Sequence, residues 1–422
     1  MTTAILFGSF AALLVLTVPI GIALALATLI TIAFSGTMPL QFLAKELVTS
    51  VDSFPLLAVP FFILAGEIMG KGGISKRLFG VASAMVGNKT GGLAIATIIT
   101  CMFFAAISGS GPATVAAIGG VMIPFMVQEG YDRGFATATV AAAGSIGIII
   151  PPSIPMVMFG VTASASVGDL FLSGIIPGVL IGLAMMFWAW YYSKKMGYKG
   201  LAEKTSLKKI VQAIWDAKWA LLIPIIILGG IYGGIFTPTE AAVVAVVYGL
   251  FAAMVLYREL SFKDLPKVIY QSALTTATVL IIVGAANAFG RLLTIEQIPN
   301  KIANWLMTIS SNPTVIILLI MVLLLFVGMV MDPIAAIIIL TPILLPVVTQ
   351  VGYDPIHFGV LMIINLAIGY FTPPVGVNLF VGSSISGVPM GQLSKAALPY
   401  IGTMIIILLL VTFLPQIALL FV

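Results

Sequence analysis

Ser108, Gly109, Ser110, Gly111 and Pro112 stand together inside the apolar run 91–128, and Gly328 through Asp332-Pro333 stand inside another, 313–350. Glycine permits backbone shapes that other residues avoid, and proline removes an amide donor, so each cluster breaks a helix. The broken ends leave carbonyls and amides free to hold a cation or an anion. At the first break the residues suited to a cation are Ser108 and Ser110, with carbonyls near Gly147 and Ile150. At the second they are Gly328 and Asp332, with Gly369 and Thr372. Asp332 is the strongest single residue, because an ionisable side chain deep in an apolar hairpin is costly and reads as functional. Directly before Pro333 it also suits the cap of a new helix, and both roles can hold at once. The plainer reading of the Ser and Gly residues is close helix packing. A pair of matched breaks favours the site.

An anion between the two breaks would meet helix N-termini and small hydroxyls. Thr114, Ser153 and Asn378 are candidates, and Arg291 offers a bidentate fork for a carboxylate. A charge snorkelling at a span end is the alternative for Arg291. Glu67 and Glu240 read as structural pairs or caps, and Asp132 and Asp354 as turn stabilisers.

These residues are positioned by a duplication. Adding 222 carries Pro124, Gln128, Gly130-Tyr131-Asp132, Gly147, Pro151-Pro152, Gly160 and Pro177 onto Pro346, Gln350, Gly352-Tyr353-Asp354, Gly369, Pro373-Pro374, Gly382 and Pro399. Pro112 pairs with Pro333 at 221, Gly70-Lys71 with Gly290-Arg291 at 220, and Pro19 with Pro238 at 219. The punctuation of one unit is thus repeated once.

The 422 residues are 61% hydrophobic and 8% charged, where soluble domains carry about a quarter charged residues. Runs near the roughly 20 residues of a span mark an all-α polytopic membrane protein. Alternating strands of a β-barrel are absent from the pattern. The single cysteine, Cys101, excludes an internal disulfide and reads as a small core residue. The single histidine, His357, cannot build a metal cluster and reads as a loop residue. The first apolar run, Ala4–Phe34, is too long and lacks the basic start of a cleavable signal peptide. GEIMGKGG (66–73) is one residue short of a phosphate-binding loop and lacks its Ser/Thr, so no ATPase is expected. GSGPAT (109–114) follows no strand and is not a dinucleotide fingerprint, and no hydrolytic triad or HExxH is present. The net charge of +5 reports membrane orientation and not nucleic-acid binding.

The first repeat, 1–192, is expected to hold scaffold spans over 4–70, with an interfacial amphipathic segment at 36–53. A basic loop at 71–90, a re-entrant hairpin at 91–128, a broken helix at 134–166 and a span at 171–192 follow. The linker 193–218 carries seven lysines (194, 195, 199, 204, 208, 209, 218) against Glu203 and Asp216, which puts it in the cytoplasm. The second repeat, 219–422, holds scaffold spans over 219–290, with a polar amphipathic stretch at 258–271. A hairpin at 313–350, a broken helix at 358–386 and a span at 396–421 complete it. Two spans after the linker, Arg258, Lys263 and Lys267 return to the cytoplasm, and counting back places 71–90 there too. The hairpins then enter from opposite faces. Inverted repeats with broken helices at their interface mark secondary transporters.

SGSGPATVAAIGGVMIP (108–124), the PPS and PPVG breaks, and GAANAFGRLL (284–293) resemble the large membrane subunit of tripartite ATP-independent periplasmic (TRAP) transporters over essentially the whole chain. The resemblance implies an elevator-type fold related to divalent-anion/sodium symporters, and no enzyme. It implies sodium-driven uptake of an organic acid, with Na+ as the coupling ion at both sites named above. A periplasmic substrate-binding protein would deliver the acid, in the bacterial inner membrane. The family includes carriers of four-carbon dicarboxylates and of sialic acid, and sialic acid is the single expectation. The chain begins directly with the large part, so the small four-helix membrane subunit is expected as a separate chain. The competing readings are a stand-alone carboxylate symporter, a membrane enzyme and a passive scaffold.

Overall fold

The computed structural model describes residues 2–36, 38–201, 206–310 and 312–422, side chains of 303–307 and 309 excepted. Among these the regular structure is helical, without a strand. Among the described residues, nine helical segments are long and apolar enough to cross a membrane. The first half runs α1 (Thr2–Val15), α2 (Ile20–Ser35), α3 (Gln41–Thr49), α4 (Ala58–Lys71), α5 (Ile74–Val86), α6 (Gly92–Ser108), α7 (Gly111–Gln128), α8 (Arg133–Ser145), α9 (Ile154–Ala163) and α10 (Val167–Met196). The second runs α11 (Leu207–Tyr232), α12 (Pro238–Leu250), α13 (Leu265–Ile295), α14 (Ile298–Ile309), α15 (Pro313–Val330), α16 (Pro333–Gln350), α17 (Pro355–Gly369), α18 (Val377–Ser386), α19 (Met390–Phe413) and α20 (Gln416–Leu419).

Local chemistry sets these boundaries. Gly109 ends α6 at φ +60°, and Ser110 with Pro112 starts α7. Asp132 and Asp354 cap α8 and α17 by accepting from Phe135 N and from Ile356 and His357 N. Thr237 and Glu240 form a reciprocal capping box at α12.

Several expected boundaries differ. The basic stretch 71–90 is mostly the helix α5, because Ile74, Leu78, Val81 and Ala82 bury one face at helical spacing. The linker shrinks, since α10 runs through Lys194 and Lys195 and α11 already begins at Leu207; Glu203 and Lys204 lie outside the described residues. The polar amphipathic stretch 258–271 does not stand apart from the next span, as its second half forms about the first two turns of α13. A helix absent from the sequence reading, α14, precedes the second hairpin. The last span is α19, which starts at Met390 and stops at Phe413 before Pro415. His357 is no loop residue: it lies in α17, buried, with Nε2 2.9 Å from Val411 O.

The core is built on α8 and α17, both buried along nearly their full length. Hairpin α6–α7 wraps α8, and hairpin α15–α16 wraps α17. The short helices then cross over: α9 packs on α16, and α18 packs on α7. On the outside, α4 faces α6 and α7, while α13 faces α16. Contact at the breaks requires glycine. A Cβ on Gly147 would lie 2.8 Å from Ser110 O, and one on Gly369 would collide with the Gly328 backbone.

Gly369→Ala is therefore expected to cost about 1–3 kcal/mol through overpacking. Gly402→Ala, where nothing lies within 4 Å, should be neutral or stabilising by up to about 1 kcal/mol. Thermal unfolding in detergent compares the two; equal midpoints would contradict the close contact.

Candidate functional site

The two breaks open on one cavity of about 470 Å³, lined by Ser108 and Ser110 from the first tip and by Asp332 from the second. Tyr370 closes it from the end of α17, and Glu67 of α4 with Thr275 and Thr278 of α13 form the opposite wall. The sequence sets a cation site at each break and an anion between them; in the fold both tips line this one cavity.

At the first tip, Ser108 Oγ lies 2.9 Å from Thr114 Oγ1, which donates to Ser110 O at 2.8 Å. The Ser110 side chain makes no cap hydrogen bond. Gly147 packs directly against Ser110 O and Thr114 Oγ1. The Ile150 side chain packs on Gly178 of α10. The break is tied down where Ile154 N donates to Gly109 O at 3.3 Å.

The second tip repeats that tie, with Val375 N donating to Met329 O at 3.2 Å. Asp332 caps α16 by accepting from Ile334 N at 2.9 Å, and its other oxygen accepts from Tyr370 Oη at 2.9 Å. A carboxylate has about four acceptor positions, so these bonds do not use up its capacity. Gly328 and Gly369 touch backbone to backbone. The Thr372 hydroxyl donates to Ile368 O at 2.6 Å.

Of the residues expected to meet an anion, none lines this cavity. Thr114 is buried beneath Ser108. Ser153 is buried at the N-cap of α9, with its hydroxyl donating to Ile148 O at 2.6 Å. Asn378 is buried against Gly111 of the other half's hairpin. Its amide donates to Ala141 O at 3.1 Å, while its Oδ1 has no partner, an orphan acceptor beside the first tip. Arg291 is directed away from the tips and forms an ion pair with Glu46 of α3.

Three groups were missed or underrated. Tyr370 matches Ile148 at a shift of 222, so the duplication gave it no signal. Glu67 pairs with Lys71 at 3.8 Å, as a structural reading expects, yet also faces the cavity. Thr275 and Thr278 sit in a span without a break, where residue type alone does not separate a cavity wall from a lipid face.

A family model described as the DctM component of tripartite ATP-independent periplasmic transporters matches residues 7–417. The chain belongs to this family. It is 52% identical over 417 residues to the isethionate TRAP transporter permease protein DctMQ of Oleidesulfovibrio alaskensis, covering 99% of this chain and 66% of that longer protein. It is 42% identical to the C4-dicarboxylate TRAP transporter large permease protein DctM of Pseudomonas aeruginosa, over 94% of this chain and 92% of the other. The sialic acid TRAP transporter large permease protein SiaM of Vibrio cholerae is 39% identical over 95% and 94%. In fold, the chain resembles the YdaH transporter of Alcanivorax borkumensis, with a TM-score of 0.64 at 14% identity and 89% coverage of each chain. This permease is a polytopic membrane protein, and its relatives are transporters and not enzymes.

Tyr370→Phe should cost about 1–3 kcal/mol by leaving one Asp332 oxygen without its donor. In a thermal-unfolding cycle with Asp332→Asn the two changes should be non-additive. Additivity would mean that the hydroxyl and carboxylate do not act on one another.

Proposed function

We propose that this permease is the large membrane subunit of a sodium-driven importer of small organic acids. It works in the bacterial inner membrane with a small four-helix membrane subunit and a periplasmic binding protein that delivers the acid. The observation that carries the reading is that both helix breaks open on one cavity. The oxygens there fit sodium as a co-transported ion. Neutral oxygens of Ser108, Thr114 and Ser110 converge at one tip, with the orphan Asn378 oxygen beside it. The Asp332 carboxylate supplies a charge at the other. Relatives named for isethionate, four-carbon dicarboxylates and sialic acid define the substrate class as small organic anions. Identity of 52% to the isethionate protein against 39% to the sialic acid protein puts a small sulfonate or dicarboxylate ahead of sialic acid.

Two halves with matched breaks support inverted repeats and re-entrant hairpins. Elevator movement then carries α6–α9 and α15–α18 past the scaffold helices α4 and α13. The cavity shares Gly66, Glu67 and Ala113 with a cleft at Lys71, the end of α4 assigned to the cytoplasm. That continuity fits a cytoplasm-facing state.

Proteoliposomes holding the permease and its small subunit, given a sodium gradient and binding protein loaded with isethionate, succinate or sialic acid, test the reading. Uptake should require both sodium and the binding protein. Asp332→Asn keeps the helix cap, since asparagine caps as well as aspartate. It should nonetheless reduce sodium-dependent uptake by roughly tenfold or more, through loss of a direct charge on the ion. Uptake without the binding protein would favour a stand-alone symporter. No uptake by folded protein would favour a passive scaffold.

A further inference from the structure

The scaffold carries a second kind of feature at two matched places. On α4, Gly66, Glu67, Gly70 and Lys71 line a cleft of about 210 Å³ against Ala113 and Ala117 of α7. On α13, Ala286, Asn287, Gly290 and Arg291 line a cleft of about 390 Å³ against Ile338 of α16. The α4 and α13 residues correspond one by one at a shift of 220, and Ala117 corresponds to Ile338 at 221. The duplication has thus produced two clefts between scaffold and hairpin, each with a cation at its mouth.

The clefts lie at opposite ends of the molecule. Gly72, just past Lys71, packs on Ala253, and nearby Arg77 pairs with Glu259 at 2.6 Å. The chain enters α13 from this region at Leu265. Arg291 follows 26 residues (291 − 265) along the same helix, roughly 39 Å at about 1.5 Å per residue. The central cavity shares wall residues with the Lys71 cleft and none with the Arg291 cleft.

Each cation is exposed and each has a carboxylate partner, but the partners are not repeats of one another. Lys71 is 40% exposed, beside Glu67 on its own helix. Arg291 is 63% exposed and pairs with Glu46, which is 7% exposed on α3. Only Nη1 of the guanidinium carries that bond, so its other donors remain for a second acceptor. Small contacts hold Glu46 in place: a Cβ on Gly284 of α13 would lie 3.0 Å from Leu47 O. Other polar groups in the cleft use their donors on the backbone, as Thr162 does on Met158 O at 2.8 Å and Asn287 on Val283 O at 3.0 Å. Arg291 is the cationic donor that this cleft's lining offers an anion.

We propose that Arg291 and Lys71 are a pair of anion-capture residues, one at each mouth of the transport path. Arg291 receives the organic anion on the uptake side, and Lys71 meets it on the release side. Glu46 holds the Arg291 guanidinium when no anion is present and competes with one when it is. The inference rests on the proposed transport of organic anions. It adds a fixed contact on the scaffold to the cavity at the moving tips.

Substitutions that separate capture from a structural latch test it. In the proteoliposome assay, Arg291→Gln should raise the external concentration for half-maximal uptake roughly tenfold, with Arg291→Lys well below that. Glu46→Gln should leave this concentration at or below the wild-type value, because it removes the competitor. A latch would be broken equally by either change. A rise in both Arg291→Gln and Glu46→Gln, or no rise in Arg291→Gln, overturns the proposal. Lys71→Gln should act more strongly with substrate on the cytoplasmic side, and Arg291→Gln with substrate outside; the same sidedness for both would overturn it. A second readout needs no transport. Phenylglyoxal labelling of Arg291, followed by mass spectrometry, should be slowed by isethionate or succinate and not by an uncharged analogue. Protection without uptake would refute the proposed function and retain the capture site, and absence of protection would refute the capture site.

Discussion

The structure depends on backbone that stops being helical inside an apolar interior. Every amide and carbonyl freed there must find a partner, because water is not at hand to supply one. The permease meets this twice in the same way. Ile154 N reaches Gly109 O, and Val375 N reaches Met329 O, so the loop after each double proline is bonded to the tip of a hairpin. Those bonds fix where the tips sit. Glycine then lets the backbones close: Gly147 against Ser110 O, and Gly369 against Gly328.

Crossing of the short helices follows from this arrangement. With α9 on α16 and α18 on α7, neither half completes its own packing. Asn378 makes the dependence visible, since a side chain from the second half sits against Gly111 of the first and bonds to Ala141 O. The tips consequently face one another, and two local breaks become one cavity.

Charges are few, and the structure handles each individually. Arg77 pairs with Glu259 and lies 3.8 Å from the centre of the Tyr257 ring. At the same end, hydrogen bonds from the hydroxyl and amide of Ser261 hold the Asp264 carboxyl below the usual carboxylate range. Asp332 alone stands at the tips, steadied by Tyr370 and by the amide of Ile334. A charge so placed is costly unless it has a task, which links its chemistry to the break that exposes it.

Much of this was legible in the sequence. Composition fixed the membrane class, because apolar runs of span length have no other stable home. Glycine, proline and capping aspartates announced both breaks, since their effect on the backbone is local. Asp332 stood out for the same reason: a carboxylate in an apolar run needs no partner to be noticed. Other features were decided only by tertiary structure. Whether a polar stretch such as 71–90 or 258–271 is loop or helix depends on which neighbour buries it. Tyr370, Glu67, Thr275 and Thr278 became cavity residues only because α17, α4 and α13 converge on the tips. Arg291, whose type suited a carboxylate at the tips, was taken by Glu46, 245 positions away in the chain. Local backbone chemistry could be read residue by residue; which side chains share a cavity is a property of packing between distant segments.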